Sequence, residues 1–257
     1  MRSARIFLTL YGLTLLYFIA WPLGSQKFVF PILILSTLSF FLFAWFHGTT
    51  QWGWPRSTLL LFIAFVVGWA MEAIGVRTGW PFGLYHYTSK LQPQLLGVPI
   101  PVLIAWYMMA YTSLAMIRTW SEGMATTGIT YAWEIATATL ALTAWDVVMD
   151  PLMVAGGHWV WEVKGPYFGI PVQNYLGWML TGALMYTLYT LLEHMIPLPR
   201  PYAEGKYLPF LAYAITWVGN VGVALSRGMG GVAVAGFFAM GGFVIAGAGH
   251  FLRERSE

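Results

Sequence analysis

Asp146 and Asp150 are the only aspartates among the 257 residues, and they stand four apart in the apolar run Thr143-Ala-Trp-Asp-Val-Val-Met-Asp-Pro-Leu-Met-Val154. Successive helical residues turn by about 100°, so residues at i and i+4 share a face, about 6 Å apart along the axis. Two carboxyls that close repel as anions, and their apolar surroundings also disfavour charge, so one of the two should keep its proton. The chemistry such a pair offers is proton donation. The structural alternative is that Asp150 ends the helix before Pro151 while Asp146 is a satisfied core polar group.

The elements that must hold this pair are membrane spans. Hydrophobic residues make up 58% of the chain and charged ones 9%, with a mean hydropathy of +0.66, where a soluble domain carries about 25% charged residues. Apolar runs at 6–21, 28–46, 57–75, 99–117, 130–150, 172–193, 208–225 and 232–251 are each close to the roughly 20 residues a bilayer demands. The expected fold is therefore all-α, a polytopic bundle of about eight transmembrane helices in one domain spanning 1–257. The start, Met1-Arg-Ser-Ala-Arg5 and the run to Trp21, lacks a small-residue cleavage site before Pro22, so it reads as a retained first helix. Arg2, Arg5, Arg56, Arg118, Arg200, Lys206, Arg253 and Arg255 fall on one side, against Lys27, Arg77, Lys90, Lys164 and Arg227 on the other. That excess predicts a multi-pass protein of the cell membrane with both termini cytoplasmic. The net charge of +3 includes no basic cluster, which excludes nucleic acid as a partner. The sequence gives no indication of oligomeric state.

Two connections are longer than the rest, at 76–98 and 151–171. The first leads through Gly97-Val-Pro99 to Trp106 and the second through Gly169-Ile-Pro171 to Trp178, nine residues after each glycine. The stretches 57–117 and 130–193 thus read as copies of one helix–loop–helix unit, an arrangement that places a site at the interface. Alternation of spans puts Glu72, Asp146, Asp150, Asn174, Asn220 and Arg227 in the same half of the membrane. Trp69, Trp80, Phe82, Tyr85, Trp145, Tyr175 and Trp178 lie at that level too. Interfacial belts account for many tryptophans and tyrosines, yet these seven also make a candidate wall for an apolar substrate. Glu134 and Glu193, near the opposite ends of their spans, are expected to be interfacial anchors. The small-residue stretch Gly228 to Gly249 is expected to serve close helix packing.

Buried carboxyls, amides and aromatic faces fit a narrow range of reactions. The chain has no cysteine, and its histidines at 47, 86, 158, 194 and 250 form no HxxH or HxxxH pair. The ligand pattern of histidine-rich membrane hydroxylases is therefore missing, and neither metal nor cofactor is expected. Proton transfer to an alkene is the leading case: a neutral carboxyl protonates the less substituted carbon, aromatic faces stabilise the tertiary cation, and water captures it. Asp146, Asp150 and Glu72 are the candidate catalytic residues, with Asn174, Glu72 or the second aspartate positioning the water.

The segments Glu72-Ala-Ile-Gly-Val-Arg-Thr-Gly-Trp-Pro-Phe-Gly-Leu-Tyr-His-Tyr87, Gly97-Val-Pro-Ile-Pro101 with Trp106-Tyr-Met-Met109, Ala144-Trp-Asp-Val-Val-Met-Asp-Pro151 and Gly165-Pro-Tyr-Phe-Gly-Ile-Pro-Val-Gln-Asn-Tyr-Leu-Gly-Trp178 resemble the membrane-embedded carotenoid 1,2-hydratases of the CruF type, which include the bisanhydrobacterioruberin hydratases. The likeness covers about positions 60 to 195. It implies a hydro-lyase without a cofactor, acting on the acyclic end of a long polyene carotenoid, such as lycopene, gamma-carotene or a C50 relative. The products would be 1-hydroxy carotenoids, and the partners would be that polyene, water and the lipid bilayer. It leaves open which polyene is used and which carboxyl is the acid. The first span and the last two match less clearly.

Two other readings compete with hydration. A transporter or carotenoid-binding protein would use the carboxylates as proton relays. A membrane prenyltransferase would use Asp146-x-x-x-Asp150 as half of a magnesium–diphosphate site, but such enzymes need a second aspartate-rich motif and this chain has no third aspartate.

Overall fold

The computed structural model describes residues 1–20, 29–197 and 204–254. Lys27, Arg200 and Arg255 of the charge balance, and Trp21 and Pro22 at the end of the first run, lie outside the described residues. Among the described residues the apolar runs form eight helices: α1 Arg2–Ala20, α2 Val29–Gln51, α3 Gly53–Thr78, α4 Ile100–Trp120, α5 Gly128–Ala155, α6 Val172–Glu193, α7 Leu208–Ser226 and α8 Gly230–Glu254. Seven are long and apolar enough to cross a membrane, and α6 is not among them. The cause is its inward face. Leu176, Leu180, Leu184 and Leu191 form an exposed apolar ridge, while Asn174, Thr181, Tyr186 and Tyr189 are buried against the bundle and lower its mean hydropathy. The whole is an all-α polytopic membrane bundle, with α4 its most enclosed helix.

Contacts across the connections order the ends of the bundle. Arg5 pairs with Glu204 at 2.6 Å, His47 Nε2 meets the Gly205 carbonyl at 3.0 Å, Lys206 reaches Glu122 at 3.2 Å, and α8 approaches Trp120 at Gly247. The described start of the chain, the last turns of α8 and residues 51–53, 121–127 and 204–207 therefore share one end. The long connections share the other. Small residues draw the helices together, as expected for the C-terminal stretch: a Cβ on Gly236 of α8 would lie 2.6 Å from Val148 Cβ on α5.

The long connections fold over the bundle as paired strands. In β1 (Tyr85–Tyr87) and β4 (Trp159–Trp161), which run antiparallel, Tyr85 faces Trp161 and Tyr87 faces Trp159. Strand alternation turns Tyr85, Trp159 and Trp161 inward, and leaves His86 outside to meet Glu162. A hairpin joins β2 (Gln94–Leu95) to β3 (Val98–Pro99). Its loop residues Leu96 and Gly97 have φ of 53° and 87°, and Phe168 and Gly169, between the bridged Tyr167 and Ile170, have 49° and 86°. Two consecutive positive φ values are the signature of a two-residue I′ turn, which requires glycine or a tolerant residue. Pro99 and Pro171 then cap α4 and α6 with nearly equal dihedrals.

Helix α5 does not end at Asp150. It continues through Pro151 to Ala155, so the expected end of that span is corrected by five residues. Proline cannot donate to the carbonyl four residues earlier, and an orphaned carbonyl is costly in a membrane. Here the Tyr167 hydroxyl donates to that carbonyl, Val147 O, at 2.9 Å.

Candidate functional site

Three carboxyl groups from α3 and α5 face one cavity under the paired strands. Glu72, Asp146 and Asp150 are 4%, 1% and 1% exposed. The hydrogen bonds that reach them come from neutral groups. Asn174, in the first turn of α6, donates through Nδ2 to Asp146 Oδ2 at 2.7 Å and to Asp150 Oδ2 at 2.9 Å. Trp159 Nε1 donates to Asp150 Oδ1 at 2.7 Å. Glu72 Oε2 accepts from the Tyr85 and Tyr87 hydroxyls, the latter at 2.8 Å, and Oε1 accepts from Trp106 Nε1 at 3.1 Å. Each long connection thus sends a strand residue back to a carboxylate on the helix before it, Tyr85 and Tyr87 to Glu72, and Trp159 to Asp150.

Aromatic rings close the cavity around these groups. Trp106 and Trp178, the tryptophans that follow the two hairpins, stack at 4.0 Å between centroids, and Trp145 stands edge-on to Trp178 at 6.0 Å. The Phe82 ring is clamped between α3 and α6, where a Cβ on Gly75 or Gly177 would lie 2.8 Å or 2.5 Å from it. The cavity measures about 200 Å³ and its walls are mainly apolar. At its rim, burial together with the nearby Lys90 and Arg227 cations holds the His158 imidazole down at about 4, so His158 is neutral there.

Of the residues singled out in the sequence, the structure brings Glu72, Phe82, Tyr85, Trp145, Asp146, Asp150, Asn174, Trp178, Asn220 and Arg227 to this cavity. It does not bring the other three. Trp69 donates to the Leu95 carbonyl at 3.2 Å and packs with a small cluster around Val98. Trp80 is 54% exposed. Tyr175 turns its ring edge to Tyr167 instead of lining the cavity.

Sequence reasoning missed Tyr87, Trp106 and Trp159 as direct partners of the carboxylates. The signal for Tyr87 and Trp159 was the two-residue alternation in Tyr-His-Tyr and Trp-Val-Trp, which puts the outer members of each triplet on one side. The contributions of α1 and α2 were missed as well: Tyr11, Leu15, Phe18, Leu33 and Ile34 line the cavity. No spacing marks them, because an apolar wall looks like any membrane helix.

Glu134 and Glu193 are not interfacial anchors. They are 8% and 2% exposed and close on Arg118, whose Nη1 meets Glu193 at 2.9 Å and whose Nε meets Glu134 at 3.3 Å. The low dielectric around them makes pairing with a cation the way to keep such charges inside.

The family model described as "Carotenoid biosynthesis protein" matches residues 28–243. The bisanhydrobacterioruberin hydratase of Haloarcula japonica is 33% identical over 136 residues, which are 52% of this chain and 45% of that protein. The chain therefore matches somewhat less than half the length of that curated relative. No solved structure matches. With four fifths of its length, including every residue of the carboxylate cluster, inside the family model, the chain belongs to the carotenoid biosynthesis protein family.

Proposed function

We propose that the protein is a carotenoid hydratase that adds water across the terminal C1=C2 double bond of an acyclic end group. The observation that carries this reading is the pair Asp146 and Asp150, joined by one Asn174 amide in an aromatic, apolar cavity. Three of the pair's four oxygens accept hydrogen bonds, and Oδ1 of Asp146 has no partner among the described residues. Asp146 is therefore the acid. Its proton passes to C2 of the alkene, the electron pair of the double bond forms the new C–H bond, and C1 becomes a tertiary cation. The Trp106, Trp145 and Trp178 faces stabilise that cation by about 2 kcal/mol or more each when desolvated.

Water then forms a bond to C1 and loses a proton to the Asp146 carboxylate, which restores the acid. Atoms balance with alkene and water alone. Asn174 and Trp159 hold Asp150 beside the acid, where its anionic form favours the cation. Glu72 has both oxygens engaged, so it orients Tyr85, Tyr87 and Trp106. The Asn220 carboxamide lines the cavity without a hydrogen-bond partner among the described residues, and it is suited to hold the water. The relative named as a bisanhydrobacterioruberin hydratase and the family's description as carotenoid biosynthesis proteins support the choice of substrate.

The test uses purified protein in detergent with an acyclic carotenoid. The product should be heavier by one water, its hydroxyl should carry label from labelled water, and heavy water should leave one deuterium on the neighbouring carbon. The reaction should run without air and in chelator. Label arriving from molecular oxygen excludes hydration.

A further inference from the structure

A cavity of about 200 Å³ takes the end of a carotenoid but not its length, since even drug-sized ligands fill about 300–1,000 Å³. The remaining tail must leave the protein somewhere. Two parts of the cavity wall are only half-buried, and they differ in chemistry. One carries Asn220, His158 and Arg227, polar groups that suit water and repel a hydrocarbon. The other is apolar apart from Thr37, whose hydroxyl donates to the Leu33 carbonyl within its own helix.

That second part lies between α2 and α4. Away from the site the two helices are pinned together: Phe41 stands edge-on to Tyr107 at 5.5 Å, and His47 Nδ1 meets the Tyr111 hydroxyl at 2.6 Å. Towards the site the cavity comes between them. Leu33 and Ile34 of α2 and Val102 and Ala105 of α4 line the cavity, and all four are half-buried. In a membrane bundle such residues face the cavity on one side and lipid on the other. Leu15 and Phe18 of α1, both buried, line the same arm from within.

We infer that this slot between the N-terminal halves of α2 and α4 binds the conjugated tail of the substrate and is its sideways entrance from the bilayer. The inference rests on the hydratase reading for the identity of the tail. It explains why α1 and α2, which contribute no carboxylate, help to build the cavity. A linear polyene is as apolar as the lipid, so it can lie half in the protein and half in the membrane with little desolvation cost. Water reaches C1 from the polar side, where it does not have to cross the tail.

The test narrows the slot and compares two substrates. Leu33→Trp and Val102→Trp are each assayed with a full-length acyclic carotenoid and with a short acyclic terpenoid that has the same end group. The ratio of long-chain to short-chain turnover should fall at least tenfold in both variants. An unchanged ratio in both, at whatever absolute rate, overturns the slot. If the unaltered protein hydrates neither substrate, the hydratase reading fails on its own, and the slot is judged by labelling. The native chain has no cysteine, so Ile34→Cys gives a single reactive thiol. Loading with the long polyene should slow its alkylation at least fivefold and leave Ile129→Cys, at a position 83% exposed, unaffected. Equal rates with and without polyene overturn the slot in that case.

Discussion

At the end of the bundle that holds the start of α1, Glu134 and Glu193 are enclosed by Arg118, with Arg56 3.4 Å from Glu193 and the Arg118 guanidinium 5.2 Å from the Trp52 ring. At the other end Glu72, Asp146 and Asp150 are buried just as deeply, but they meet phenols, indoles and an amide. The difference separates two uses of a buried carboxyl. An arginine partner fixes the anion and ties α3, α4, α5 and α6 together. Neutral donors hold a carboxyl in place without deciding whether it carries its proton, and a group that must give up a proton and recover it each turnover needs that freedom.

Exchanging the acid for an amide tests this contrast hardest. Asp146→Asn keeps the size and the bond from Asn174 but cannot supply a proton, so turnover should fall by about 10³-fold, within the range for removing a general acid. Asp150→Asn should lose nearly as much. Thermal unfolding in detergent should stay close to that of the unaltered protein in both. Near-normal turnover in the two variants would end the aspartate-pair mechanism.

The arginine end should respond the other way round. Arg118→Met leaves Glu134 and Glu193 close together with their main cation gone, which should cost about 3–5 kcal/mol of stability. Turnover per folded molecule should stay within about twofold. A variant that is stable but inactive would show that the two ends are coupled in the chemistry, and the division of labour would fall. Glu72→Gln should sit between these extremes, with about a tenfold loss of turnover, roughly 1.4 kcal/mol, and little loss of stability. A complete loss would promote Glu72 from orienting its three donors to direct proton transfer.

The sequence made the bundle legible because a bilayer imposes span length and apolar composition on every helix, so eight runs could be read without any packing information. It also exposed the carboxylates, since an acid in an apolar run is conspicuous. What it hid was the partner of each acid. Arg118 and Glu193 are 75 residues apart in sequence, and nothing local separates an anchoring glutamate from one that an arginine encloses. Trp69 and Trp106 look alike as tryptophans near a span end, yet one bonds a loop carbonyl and the other reaches Glu72. The path of α5 beyond Pro151 was obscured for the same reason, because the hydroxyl that compensates the proline belongs to Tyr167 on a connection 16 residues further along.

The smallest expected effects come from a matched pair that removes one hydroxyl donor at each end. Tyr87→Phe deletes the 2.8 Å bond to Glu72 Oε2, leaving Tyr85 and Trp106 to hold the carboxylate. Ser121→Ala deletes the hydroxyl that donates to Glu134 Oε1, leaving Arg118 at Oε2. Each change should cost about 1 kcal/mol of stability, the usual net value of such a bond. Only one should touch catalysis. Loosening Glu72 changes the field around the developing cation, so Tyr87→Phe should slow turnover by about three- to fivefold with the carotenoid KM unchanged, whereas Ser121→Ala should leave both constants as they are. If the two variants slow turnover equally, the donors to Glu72 act only through packing, and the functional distinction between the two ends narrows to the aspartate pair alone.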